Sequence, residues 1–297
     1  MKEGPPPAGL RAEPPSRAVC TLRKVVHRIA LTLSTVALLL VPAAAASHLA
    51  MPESTLFHNA KIYVSLIGDP ENNDGAIVTV DSRGRVTGTL ARASGAKRIV
   101  DPTGMAITGS TLWVNDVTRI RSFDLKTGAA GRVVDVSGAV FVNDLAIDRR
   151  GNLWASDSET HTLYRVSAAG RVTRLRLPKR FPGRPNGVGL HPRSGEISFV
   201  TFRDTGAAQV GRVTRAGEFV EVKKSPRLKH LDGPAFVGRT TYISDFVNGS
   251  IWKLSADGKL TRRAVLAGSP ADMSYAPALK RLLIPLIQGG HFTTLKP

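Results

Sequence analysis

A short turn motif returns six times along this chain, and each copy leads into the same kind of β-hairpin. The copies are Met51-Pro52-Glu53-Ser54, Asp101-Pro102-Thr103-Gly104, Phe141-Val142-Asn143-Asp144, Arg184-Pro185-Asn186-Gly187, His230-Leu231-Asp232-Gly233 and Ser269-Pro270-Ala271-Asp272. Successive third residues lie 50, 40, 43, 46 and 39 positions apart. A unit of roughly 40–50 residues holding four short strands marks a blade of a β-propeller. Equivalent positions of all blades point at one axis. The third residues should therefore converge, and four of the six are Glu53, Asn143, Asn186 and Asp232.

The third and fifth copies show the unit most clearly. After Asn143-Asp144 come Leu145 to Asp148, a turn at Arg149 to Asn152, Leu153 to Asp157, Thr162 to Val166, a turn at Ser167 to Gly170, and Arg171 to Leu175. The order returns after Asp232-Gly233, ending at Lys259 to Arg262. Runs rich in Val, Ile, Thr and aromatics, broken by Gly, Asp and Asn, are antiparallel strands. No segment beyond residue 46 carries helical periodicity. A lone blade cannot bury both faces, so residues 47–297 are expected to form one all-β domain, a six-bladed propeller of four-stranded antiparallel blades. The last copy is short. Only 26 residues follow Ala271, enough for three strands: Met273 to Tyr275, Leu282 to Leu286 and Phe292 to Leu295. Ser47 to Met51, reaching about 16 Å at roughly 3.3 Å per residue, is expected to supply the missing strand.

The first 46 residues have another character. A polar, Pro-rich stretch ends in Arg23, Lys24 and Arg28. Ile29 to Val41 is apolar except for Thr32, Ser34 and Thr35, and Ala43 to Ala46 follow. Basic region, short apolar run and small-residue cleavage site describe a secretory signal peptide, so export is expected. The run is short for a membrane span, and an uncleaved anchor is the alternative. Cys20 is the only cysteine and would leave with the signal, which excludes disulfides and thiol catalysis beyond it.

The signal holds six of the 41 Lys and Arg and two of the 23 Asp and Glu, which leaves residues 47–297 at net +14. Such a field favours anionic partners, among them anionic surface polymers. The charges are scattered at positions such as Arg171, Arg174 and Arg176, with no run of five, and no nucleic-acid module is visible.

Chemistry is therefore sought in the repeated motif. Glu53, Asn143, Asn186 and Asp232 offer only oxygens and two formal negative charges. That set suits a hard cation of large coordination number, Ca²⁺ first and Mg²⁺ or Mn²⁺ next. Tight turns are the bland use of Asn-Asp, Asn-Gly and Asp-Gly. A turn, however, needs no common inward register. Asp116, Asp157 and Asp245 end the second strands of their blades and are expected to cap turns. Trp113, Trp154 and Trp252 are expected to pack between blades. His58, His161, His191 and His291 share no zinc spacing, and His230 is expected on a surface loop.

The Pro-Glu of the first copy, with Asn143-Asp144, Asn186-Gly187 and Asp232-Gly233 in that order, resembles the gluconolactonase/regucalcin-like propellers. The same order is similar to the paraoxonases and, through Pro-Glu-Ser, to the strictosidine synthase-like proteins. The resemblance implies a divalent metal held in the central channel by Glu53, Asn186 and Asp232, with Asn143 as fourth ligand or substrate contact. It also implies hydrolysis of a small-molecule lactone or ester. Two departures bear on the substrate. Phe141 stands where gluconolactonase-like members tend to carry an Arg, which points to an apolar wall and a less polar ester or lactone. Thr103 stands where paraoxonases carry a His, which leaves Asp232 or Asp144 as the base. Thr103, Phe141 and Asn143 are the candidate substrate contacts. The alternative is a non-catalytic propeller that binds a ligand or protein, because propellers host both.

Overall fold

A computed structural model describes residues 47–297 except 70, 96 and 97; the expected signal peptide lies outside the described residues. The chain forms six antiparallel sheets in sequence order, with no α-helix among the described residues. Together they make a six-bladed β-propeller. The innermost strand of each blade carries the motif or follows it directly. These strands are Pro52–His58, Pro102–Thr108, Val142–Ile147, Arg184–Leu190, Leu231–Val237 and Ser274–Ala276. Each touches the inner strand of the next blade, and the sixth touches the first, so the ring closes.

Each blade is hydrophobic on both faces and buries them against its neighbours. The six main core clusters among the described residues accordingly lie one at each junction. Ile120, Val134, Leu145 and Tyr164 fill the junction of blades two and three. Trp154, Phe181, Val188 and Phe199 fill the next, and Trp252 packs with Val200, Val210 and Leu254 between blades four and five. Trp113 leans on the first of these clusters. The three tryptophans thus pack between blades. Outermost strands leave unpaired edges and carry exposed cations there: Arg92, Arg132, Arg174 and Arg176, Lys224, Arg262 and Arg263. Charge on an edge strand discourages pairing with another chain, which accounts for much of the scattered basicity.

The sixth sheet has three strands, Ser274–Ala276, Arg281–Leu286 and His291–Leu295. The fourth strand expected from Ser47 to Met51 does not form. This segment instead donates one hydrogen bond, from Leu49 N to Gly290 O at 2.7 Å. No ladder forms there, but one well-placed side chain serves. Leu49 is buried among Ile62, Leu283 and Phe292 at the junction of blades six and one. Closure also runs through the inner strands, where Asp272 N donates to Glu53 O at 2.9 Å.

The motif residues sit at a break in pairing. In blades two to five the first and second strands lose register across the third and fourth motif residues, as between Pro102 and Met105 or Leu231 and Pro234. Bulges of this kind turn side chains and are common beside functional sites. Side chains of the second strand replace ladder bonds lost there. The Ser65, Ser156 and Ser244 hydroxyls accept from Ser54 N, Asp144 N and Gly233 N at 2.8–3.0 Å. Asp116 and Asp157 cap turns as expected, accepting from Val100 N and Asp101 N, and from Val140 N, Glu159 N and Thr160 N. Asp245 differs. It accepts from the Asn248 amide and faces His230 Nδ1 at 3.8 Å.

Candidate functional site

The six third residues form a ring of buried side chains around the axis, each no more than 9 % exposed. Its polar half is poorly satisfied. Glu53 Oε2, Asn143 Oδ1 and Asn186 Oδ1 are buried with no hydrogen-bond partner. The amide nitrogens are engaged, with Asn143 Nδ2 donating to Ser158 Oγ at 3.2 Å and Asn186 Nδ2 to the Leu231 carbonyl at 3.1 Å. These donations aim both amides, and the opposite oxygens are left bare. Buried oxygens without donors are costly, and three of them lie at one level of one channel.

The electrostatics agree. Burial pushes the Glu53 carboxyl well above the usual carboxylate range, and nearby Asp232, Asp272 and Asp144 add to the rise. Asp232 is raised by burial and then by Asp272, against a hydrogen bond from Asn186. Each group resists ionising beside the others. The remaining ring positions add no charge. Thr103 donates its hydroxyl to the Val142 carbonyl at 3.1 Å, and Ala271 is buried.

One residue along each strand, a second layer has a different nature. Asp144 accepts from Leu145 N and Val188 N, both at 2.6 Å, and so ties blade three to blade four. Asp272 accepts from the Ser54 hydroxyl at 2.6 Å and shares a hydrogen bond with Asp144. Blades three and six face each other in a ring of six, so this carboxyl pair spans the axis. Burial raises Asp272 to about 7, against the hydrogen bonds from Ser54 and Asp144. Burial and Asp272 raise Asp144. The other residues of this layer are small for a steric reason. A Cβ on Gly187 would collide with the Asp232 carbonyl oxygen, and one on Gly233 with Asp272 Oδ1.

The structure thus brings Glu53, Asn143, Asn186 and Asp232 together in one ring and sets Asp144 a layer below them. Phe141 packs instead against Val117 and Val140 and is 3 % exposed, so its ring offers almost no open surface. Ala271 packs in another buried cluster, with Phe202, Phe246 and Ile287 and with Met51 against it. His230 is not on an open loop. Its ring stacks edge-on to Phe202 at 5.0 Å, and its side chain is 19 % exposed. Asp272 escaped the reading of third residues alone. Its signal was the fourth column of the repeat, where it aligns with Asp144. Among the described residues no three His, Cys, Asp or Glu side chains cluster as metal ligands; the ring reaches four donors only by counting its two amides.

Comparison with known proteins bears on the fold. Virginiamycin B lyase from Staphylococcus aureus, solved as a catalytically inactive variant with quinupristin, superposes with a TM-score of 0.62 at 14 % identity, over 84 % of this chain and 96 % of that one. A gluconolactonase from Xanthomonas campestris gives 0.65 at 16 % identity, over 84 % and 87 %. A chain of a nidogen/laminin complex gives 0.57 at 13 %, over 75 % and 91 %. The likeness is one of fold. No family model matches the sequence, and no curated protein matches it either. The three neighbours include two enzymes and a chain of a protein complex, so the fold leaves the activity open and the ring must carry the argument.

Proposed function

We propose that the protein is an exported, metal-dependent hydrolase of lactones or esters, with the cation held on the channel axis by Glu53, Asn143, Asn186 and Asp232. The observation that carries this reading is the set of three orphaned oxygens on Glu53, Asn143 and Asn186, buried at one level beside Asp232. Their hard-oxygen chemistry fits Ca²⁺, with other divalent ions as competitors. When bound, such an ion polarises an ester carbonyl and acidifies a water.

The chain's own residues divide the remaining work. Asn143 and Asn186 are held with their oxygens free by Ser158 and the Leu231 carbonyl. Asp232 is the proton acceptor of choice, because it lies in the ring and a cation there would favour its ionised form. Asp144 is the weaker candidate, since both its oxygens already receive backbone N–H groups. None of the six third residues is cationic, so the ring offers no charged donor to sugar hydroxyls, and the preferred substrate is accordingly less polar than gluconolactone. A hydroxyl left unpaired there would cost about 1–3 kcal/mol.

The test is a thermal melt with Ca²⁺, Mg²⁺, Zn²⁺ or chelator, followed by assays on aryl esters, alkyl lactones and gluconolactone. Calcium at a hundredfold excess over Kd should stabilise the protein by about 2.7 kcal/mol, and Asp232→Ala should abolish the gain. A gain that survives Glu53→Ala with Asp232→Ala refutes the site. A cation gain with no turnover on either panel favours the alternative, a binding propeller whose metal orders its ligand surface.

A further inference from the structure

The channel has a second end, which the proposed reaction does not use. Beyond the Asp144–Asp272 pair it opens to the opposite face as a shaft of about 400 Å³ lined by all six blades, within the roughly 300–1,000 Å³ of small-molecule sites. Near its mouth stand Leu56, Ile107, Ile147, Leu190, Phe236 and Tyr275, one from each blade. All six are only partly buried. From the acid pair to the mouth is three steps of strand, roughly 10 Å.

The turns around that mouth are basic. Lys61, Arg150, Arg193, Arg239, Lys280 and Arg281 are all exposed, and none is in an ion pair among the described residues. The acids in these turns are already engaged. Asp148 accepts from Arg150 N, Asn152 N, the Asn152 amide and Trp154 Nε1, and Glu196 pairs with Arg212 at 2.7 Å. An apolar shaft with a cationic rim and an acidic floor is polarised along its length. It accepts a chain of methylenes and holds an anion at the rim, while the floor offers an anion no cation.

We infer that this end of the channel binds a free single-chain anionic amphiphile of the fatty-acid class, tail inward and head group on the rim arginines. The shaft supplies apolar burial, worth about 25 cal/mol per Å². The rim adds the charge preference and, because no cation lines the shaft, fixes the orientation. This site is independent of the oxygen ring, which lies on the other side of Asp144 and Asp272.

The probe is dansylaminoundecanoic acid, titrated into the full chain and followed by its emission. Its methyl ester and a dansyl alkylammonium of equal length are the comparators. Saturable binding is expected, tightest for the acid, intermediate for the ester and weakest for the ammonium. Arg193→Glu with Arg239→Glu, both on the surface, should weaken the acid about tenfold and leave the ester and the melting temperature unchanged. Tyr275→Asp should weaken acid and ester alike. Chelator and Ca²⁺ should change none of this, so failure of the metal reading and failure of this one are separable. The inference is overturned by absence of saturable binding, by an ammonium that binds as tightly as the acid, or by charge reversal without effect. It is equally overturned if the probe signal appears only with phosphatidylglycerol vesicles, which would make the face a membrane contact instead.

Discussion

Two layers of the channel, one residue apart along each strand, carry the same kinds of acid and treat them in opposite ways. In the upper layer Glu53 keeps an oxygen without a donor, as do Asn143 and Asn186. In the lower layer Asp144 and Asp272 accept from Leu145 N, Val188 N and the Ser54 hydroxyl. Both layers are buried, and burial is the largest cause of the raised carboxyls in each. What differs is the supply of donors. A carboxyl met by backbone amides is a fastener between blades. One left bare in the same channel is what the proposed cation site rests on. Residue type and depth alone would not tell them apart.

The comparison can be broken most severely at a glycine of the lower layer. Gly187→Ala drives a Cβ into the Asp232 carbonyl oxygen, a backbone atom with little room to move. The expected loss is about 3 kcal/mol by urea unfolding, together with the calcium response, since the upper ring shifts with it. Next is Asp232→Ala. It should remove the cation-linked gain of about 2.7 kcal/mol while leaving the metal-free protein at least as stable as before, because a repelled buried acid has gone. Loss of stability in chelator would place Asp232 with the fasteners. Asp144→Ala should behave the other way. It strands the buried Val188 N–H and should cost about 2 kcal/mol with or without calcium, read from urea midpoints in both conditions.

The smallest effect concerns pH. Asp272 is raised from 3.8 to about 7 in the folded chain. The native state therefore holds more protons than the unfolded state between those values. Stability of the metal-free protein should fall as pH rises through that window, and should not respond to this group below the lower value. Asp272→Asn should flatten the slope in melts taken across the window. A slope unchanged in the variant would assign it to Glu53, Asp144 or Asp232.

Much of this was open to reading in the chain itself. The spacing of the motif implied six blades, and the oxygen side chains at its third position implied a ring, since strand geometry repeats residue by residue. The fourth column was as regular, and Asp272 could have been found there beside Asp144. Other features were not open in this way. Phe141 has the look of a wall residue, yet Val117 covers it from the neighbouring blade. His230 suggests a loop, yet Phe202 and Asp245 enclose it.

Blade number, strand order, the composition of the oxygen ring and the charge on the outer edges followed from the sequence alone. They depend on local propensity and on a repeat whose copies must share one geometry. Closure, the union of Asp144 with Asp272, and the apolar shaft beneath them were decided by the tertiary structure. Asp144 and Asp272 lie in blades far apart along the chain, and only the curvature of a closed ring of six places the third blade opposite the sixth. Leu49 likewise fastens the ring as a side chain buried among Ile62, Leu283 and Phe292 rather than as a strand, a contact that exists only once the first and last blades meet.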